Sequence, residues 1–345
     1  MKLPNISPSI FLNGSLLLLI FATSAFAQKK TDFRIAFYNL ENLFYPENDS
    51  LKNDGEFTPD GKRNWSFYRY REKSNHMAKA ILSIGEWNPP ALVGVAEIEN
   101  RKVLDDIIQS EVLRKFRYQF IHYESPDRRG IDVGLLYRDE FFTPIITRPI
   151  KVVMPGDENF ATRDILYAKG LTPSEDTLHL FVCHWPSRYG GQARSEPKRI
   201  QAAVKLRQIT DSLTSTGYDP AIIIMGDFND EYSNISLKDS LKAEMPGLNS
   251  NAYLYNLMAA LPKTEGSHRY RGTWAYLDQI IVSQNLLNGN GMDIKNQKAG
   301  VIAHSFLLEI DDRYPGKVPF RTFIGMKYHG GFSDHLPVFV DLTWY

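Results

Sequence analysis

The sequence predicts an α/β chain in which two sheets pack together with helices outside them. Three observations carry this. Several short runs are almost wholly apolar, as strands are when both faces of their sheet are covered, among them Leu178 to Cys183 and Ala221 to Met225. Longer stretches with apolar residues at helical spacing interleave with these runs. The order of the two kinds lacks the strict strand–helix alternation of a barrel. Hydrophobic residues make up 43% and aromatic residues 12% of the 345, enough to fill a core without staples.

The elements follow in chain order. The opening MKLPNISPSIFLNGSLLLLIFATSAFAQ has a cation at Lys2, an apolar run from Leu16 to Phe21 and a small-x-small pattern at Ala25-Phe26-Ala27. That is the pattern of a secretory signal peptide over residues 1–27, with Gln28 the first mature residue. The run is too short for a comfortable membrane span, and no later stretch is apolar enough to cross a bilayer. Residues 28–345 are expected as one monomeric domain, periplasmic or extracellular and free of the membrane after cleavage. It shows no low-complexity linker, heptad run or fixed-period repeat. Strands are expected at Phe33 to Tyr38, Ala91 to Ala96, Tyr118 to Tyr123 and Ile131 to Tyr137. More follow at Leu178 to Cys183, Ala221 to Met225, Gln279 to Val282 and Pro337 to Leu342. Tyr68 to Gly85 reads as a helix with Met77, Ala80, Ile81 and Ile84 on one face, stopped by Pro89-Pro90. A second long helix is expected over Ser195 to Thr214.

Composition narrows the function. Forty basic residues balance forty acidic ones, so the strongly basic footprint of a passive nucleic-acid binder is absent. Cys183 is the sole cysteine, so no intramolecular disulfide can form. There is no G-x-S-x-G, no P-loop and no H-E-x-x-H. The acidic stretch from Asn48 to Asp60 lacks the spacing of a calcium loop and reads as ordinary connection.

Polar residues instead fall at strand ends. Phe33–Tyr38 runs into Asn39-Leu40-Glu41-Asn42, Ala91–Ala96 into Glu97, and Leu178–Cys183 into His184. Ala221–Met225 runs into Gly226-Asp227-Phe228-Asn229-Asp230; Asp278 opens one strand and Asp334-His335 precede the last. Each alone is ordinary turn chemistry. Six together point to one rim of a sheet, where ligand sites gather. Glu97, Asn39 and Glu41 offer oxygen to a hard cation, magnesium or manganese, rather than to zinc. With two histidines for acid–base work, the set reads as metal-assisted attack of water on a phosphoester.

The blocks FYNLENLF, VAEIEN, IDVGLLYR, TRDIL, HWPSR, GDFND, LDQIIVS and SDHLPV stand in this order along almost the whole mature chain. Together they resemble the endonuclease/exonuclease/phosphatase superfamily, most of all the secreted bacterial branch that begins NLENLF. The resemblance implies a four-layer α/β sandwich, two mixed sheets face to face with helices outside, and a site at one rim. It implies a metal at Glu97, with Asn39 and Glu41 completing the shell and Asp334 beside it. Asp227 would orient or deprotonate the attacking water, and Asn229 would hold a phosphate oxygen. Asp278 would fix the tautomer of His335. His184 would protonate the leaving oxygen with Glu124 orienting it, and Arg163 would grip phosphate. Cys183 stands where related sequences often carry asparagine and reads as buried filling. Trp274 reads as packing, and Arg188 as either a phosphate contact or a loop residue.

The implied function is a secreted Mg- or Mn-dependent phosphodiester hydrolase, an endonuclease acting on nucleic acid. The alternatives are a phosphatase or lipid phosphodiesterase with the same machinery, and a phosphate-ligand binding protein on a retired scaffold.

Overall fold

The computed structural model describes Met1 and residues 31–86, 88–215, 219–247, 252–289 and 291–344. The signal-peptide segment therefore lies, apart from Met1, outside the described residues. The chain runs β1 (Thr31–Leu43), α1 (Phe67–Ile84), β2 (Leu92–Ile98), α2 (Arg101–Ile108), β3 (Tyr118–His122) and β4 (Asp132–Arg138). Next come β5 (Thr143–Ile150), β6 (Ile165–Leu171), β7 (Thr177–His184), α3 (Gln192–Thr214) and β8 (Ala221–Asp227). Short β9 (Ala243–Glu244), β10 (Leu254–Asn256), β11 (His268–Tyr270) and β12 (Thr273–Ala275) precede β13 (Asp278–Ser283) and β14 (Asp293–Val301). The small strands β15 (Leu308–Ile310), β16 (Lys317–Pro319), β17 (Phe323–Ile324) and β18 (Lys327–Tyr328) lead to β19 (Val338–Trp344).

Two large mixed sheets result, with strand orders β14-β19-β1-β2-β4-β3 and β5-β6-β7-β8-β13-β10-β9. Alternation along the strands explains their packing. In β1, Ile35 and Phe37 point between the sheets to meet Met225 and Ile223 of β8. Ala36 and Tyr38 point the other way, toward Met77 and Ile81 of α1. In β8, Ile222 and Ile224 face outward onto Ala202, Ala203 and Leu206 of α3. Each central strand is thus apolar on both faces, which gives four layers: helices, sheet, sheet, helix.

The helices obey local rules. Ser66 caps α1 by accepting from Arg69 N, and Asn100 caps α2 through Val103 N at 3.2 Å. That second helix went unforeseen, although Val103, Leu104, Ile107 and Ile108 form a buried stripe behind a good N-cap. α3 starts at Gln192, three residues before the expected Ser195, and carries Pro197 inside it. The edge strand β5, its neighbour β6 and the short pairs β11–β12, β15–β16 and β17–β18 were not foreseen either. No helix among the described residues is long and apolar enough to cross a membrane.

β1 pairs in parallel with β2, and β7 with β8, so the four C-terminal ends lie at one rim. β13 and β19 run antiparallel to their neighbours β8 and β1, which brings their N-terminal ends to the same rim. Polar residues at the ends of the first four and the starts of the last two therefore meet.

Candidate active site

Asp227 is the hub. It ends β8, is 2% exposed, and stands in register with both His184 and Asp278. Gly226 before it allows a close approach to β7, since a Cβ there would lie 2.2 Å from the Cys183 carbonyl oxygen. Asp227 Oδ1 accepts from Asn229 N at 2.8 Å. Its Oδ2 accepts from Asn39 Nδ2 at 3.0 Å. The same Oδ2 is 3.7 Å from His184 Nε2 and 3.8 Å from His335 Nε2. Glu97 Oε1 approaches His184 Nε2 from the other side at 3.7 Å, while its Oε2 accepts from Asn42 N at 2.8 Å. His335 Nδ1 donates to Asp278 Oδ2 at 2.7 Å, and Asp278 Oδ1 is buried with no partner among the described residues.

Local backbone strain accompanies this convergence. Glu41, Asn42, Glu97 and Asn229 all have positive φ, between 49° and 60°, an arrangement that costs free energy and clusters at functional sites. It is how β1 continues past Asn39 to Leu43 instead of ending at Tyr38. The chain bulges between Asn39 and Leu43, shifting its register against β2 and turning Asn39 inward.

The charges are unevenly placed. Burial pushes His335 down, but the Asp278 and Asp227 carboxylates outweigh it and hold its imidazole well above the usual range. His184 is held well below that range by burial and then by the Arg163 and Arg129 guanidiniums and His335. Burial raises Asp227 to about 7 against the opposing pull of His335, with Asp278 adding to the rise. One imidazole is therefore charged, the other neutral, and the carboxylate between them is poised near neutrality.

Seven expected residues come together here: Asn39, Glu97, His184, Asp227, Asn229, Asp278 and His335. Four do not fill the roles expected of them. Glu124 is solvent-facing and paired to Lys52 Nζ at 2.8 Å, and His184 Nδ1 has no partner among the described residues. Arg163 spends its guanidinium on the structure: it donates to the carbonyls of His184 and Trp185 and to Asp127 Oδ2 at 3.2, 2.6 and 3.0 Å. It anchors the β7 end rather than offering a free fork. Glu41 turns away from Glu97 to accept from Thr322 N at 2.7 Å and Phe323 N at 3.3 Å. Asp334 pairs with Arg321 at 2.6 Å. Asn229 pins its amide on the Trp185 carbonyl at 3.1 Å. Arg188 binds the Asn229 carbonyl at 2.6 Å and so serves the loop.

Sequence reasoning missed Asp230, Arg321 and His268. Asp230 is fully buried and lies 2.7 Å from Arg199 Nε, locking α3 to the loop after β8. Its signal was present, as the last residue of GDFND. Arg321 and His268 sit in segments without a strand pattern and had none. Two clefts open beside the site and share Asn53 and Arg129. One, of about 700 Å³, runs past Arg163, Tyr189, Arg194 and Lys198; the other, of about 690 Å³, past Asn42, Lys62 and Arg63.

The donor set fits a divalent cation. Glu97 Oε1 faces the site, Asp278 Oδ1 is an orphaned buried oxygen, and ligand atoms of Asp227, Asp278 and His335 lie within 4.8 Å of one another. Carboxylate oxygens of this kind favour hard ions.

The chain belongs to the endonuclease/exonuclease/phosphatase family, whose sequence model matches residues 34–344. No curated protein matches it by sequence. Among solved structures it is similar to the mannosyl-6-phosphatase of Bacteroides thetaiotaomicron VPI-5482, at 17% identity and TM-score 0.54, covering 90% of this chain and 99% of that one. It is also similar to humanized D. rerio TDP2, at 11% identity and TM-score 0.54, covering 90% and 98%. The human nocturnin catalytic domain with bound sulfate matches at 16% identity and TM-score 0.54, covering 91% and 95%. These likenesses establish the fold; membership of the family makes the chain a metal-dependent phosphoester hydrolase.

Proposed function

We propose that this family member is a secreted phosphodiester hydrolase of the NLENLF type that cuts nucleic acid internally with magnesium or manganese. The observation that carries the hydrolytic reading is the convergence of Asn39, His184 and His335 on one oxygen of Asp227. Glu97 would hold the ion with the Asn39 amide oxygen beside it, and the bound ion would polarise a phosphoryl oxygen. The chain's own groups do the rest. Asp227, poised near neutrality, takes the proton of the attacking water, as an effective base has its pKa near working pH. Asn229, fixed by Asp227 and Trp185, lines the place of a phosphoryl oxygen.

The acid differs from the sequence expectation. His184 is held neutral by burial and by the cations around it, so it has no extra proton to give. His335, charged and held by Asp278, is the group that protonates the leaving oxygen. His184 is left to orient water or phosphate through Nε2. The diester reading draws on the two clefts that meet at Arg129, with room for a chain on both sides of the scissile bond. The apolar run before Ala27 supports export.

The test is turnover of bis-nitrophenyl phosphate, supercoiled plasmid, RNA, sphingomyelin and phosphomonoesters, with magnesium, manganese or chelator. Nicked plasmid and diester cleavage abolished by chelator are expected. Cleavage of monoesters alone would place the chain with the mannosyl-6-phosphatase type of activity. Binding without any turnover would leave the binding-protein reading.

A further inference from the structure

We propose that His268, Asp334 and His335 form a second, inhibitory site, sharing His335 with the catalytic cluster, for a borderline transition-metal ion of the zinc class. Ligand atoms of the three lie within 4.8 Å of one another. His268 belongs to β11, and the other two form the turn before β19. A backbone bridge between His268 and His335 fixes these segments together, and the two rings sit 4.8 Å apart at 45°. Neither ring nitrogen of His268 has a hydrogen-bond partner among the described residues. Asp334 accepts from Arg321 with one oxygen, Oδ2, which leaves the other. His335 uses Nδ1 on Asp278, which leaves Nε2.

The donor chemistry selects the ion. Two imidazoles and one carboxylate are a zinc-type set, with a fourth position open to water. Magnesium takes oxygen ligands and has little use for imidazole. Zinc bonds of about 2.0–2.2 Å put ligand atoms roughly 3.3–3.5 Å apart, a closure that side-chain rotation supplies. Asp278 behind His335 completes the carboxylate–histidine–metal arrangement that orients such ligands. The two ions would not compete for Glu97.

Occupancy would displace the Nε2 proton of the His335 imidazolium to solvent, take that nitrogen for the ion and remove the imidazole from the phosphate. Zinc should then inhibit hydrolysis in excess magnesium. This consequence rests on the proposed role of His335, whereas the ion site itself does not.

The experiment therefore has two arms on the full mature chain, wild type beside His268→Phe and His268→Asn. In the first, cobalt(II) is titrated as a coloured stand-in for zinc. Wild type should develop the visible absorption of a four-coordinate site, and both variants should lack it. In the second, zinc is titrated into bis-nitrophenyl phosphate turnover under saturating magnesium. The variants should keep their magnesium-driven turnover and need about tenfold or more zinc for half-inhibition, since even an indirect partner of a ligand is worth that in affinity. Identical cobalt spectra, or identical zinc sensitivity, in wild type and a folded variant would overturn the proposal. A wild type inert toward every phosphoester would instead overturn the hydrolase reading, with the cobalt arm still deciding the ion site. His268→Phe keeps a ring against His335, so one of the two variants remains readable if the smaller one unfolds.

Discussion

His335 and Asp278 act as one unit, joined by a 2.7 Å hydrogen bond in a buried place. Removing either partner should cost most of what removing both costs, because the carboxylate works only through the ring. We expect Asp278→Asn, His335→Ala and the double variant to form a strongly non-additive cycle in turnover under saturating magnesium; full additivity would separate them. The same geometry predicts that His335→Ala loses less on nitrophenyl esters, whose leaving group needs no proton, than on natural diesters. His184→Ala should lose equally on both. A second histidine bears on stability rather than on chemistry. His179, on β7, has Nδ1 against the Tyr167 hydroxyl at 2.9 Å, and burial followed by Lys169 lowers its pKa from 6.5 to about 4. A depressed histidine favours the fold while neutral. Its contribution is therefore whole above 6.5 and is lost as pH falls through about 4. Wild type should lose more melting temperature between those values than His179→Gln does. Parallel pH profiles of the two would refute the assignment.

At the scale of elements, the site depends on how α3 is tied to the end of β8. Asp230 takes an ion pair from Arg199, a bond from Ser236 Oγ at 2.6 Å and another from Arg188. Its backbone carbonyl accepts from Gln279 of β13 at 3.0 Å. Helix, loop and neighbouring strand are thus held at one carboxylate directly after Asn229. Arg199→Met would leave that buried charge with only the partly exposed Arg188 at 3.3 Å, and removing one partner of a buried pair costs about 3–5 kcal/mol. Urea denaturation should show a loss of that size, with KM for diesters rising as Asn229 loosens. A change below about 1 kcal/mol, the scale of an exposed pair, would mean the pair holds nothing. Helix ends and apolar strands are the parts of this scale legible in sequence. α2 had a legible cap and stripe. The edge strand β5 did not, because half-exposed residues such as Ile145, Ile146 and Pro149 have no clear alternation.

Across the whole molecule, the site exists because two sheets are held at fixed spacing. Gly94 of β2 marks the contact: a Cβ there would meet the Met225 thioether at 3.1 Å and Phe37 at 3.2 Å. Gly94→Val should force the sheets apart at this point and cost about 1–3 kcal/mol, as overpacking does. Because Glu97 lies on one sheet and Asp227 on the other, turnover should fall with stability. Unchanged melting and turnover would show that the interface absorbs the extra volume without moving the rim.

The sequence by itself determined the layered α/β class, since apolar runs of strand length need cover on both faces. It also determined which polar residues could meet, because parallel strands deliver their ends to one rim. Tertiary structure alone decided what each residue does there. Arg163 and Glu124 look like substrate and proton partners in a motif, but a guanidinium can be used up by carbonyls and a carboxylate captured by Lys52. Glu41 is turned away by the bulge of β1 toward the amides of Thr322 and Phe323. His184 and His335 are the same side chain in sequence. Burial lowers both; two guanidiniums reinforce it at His184, whereas two carboxylates brought in by the fold outweigh it at His335.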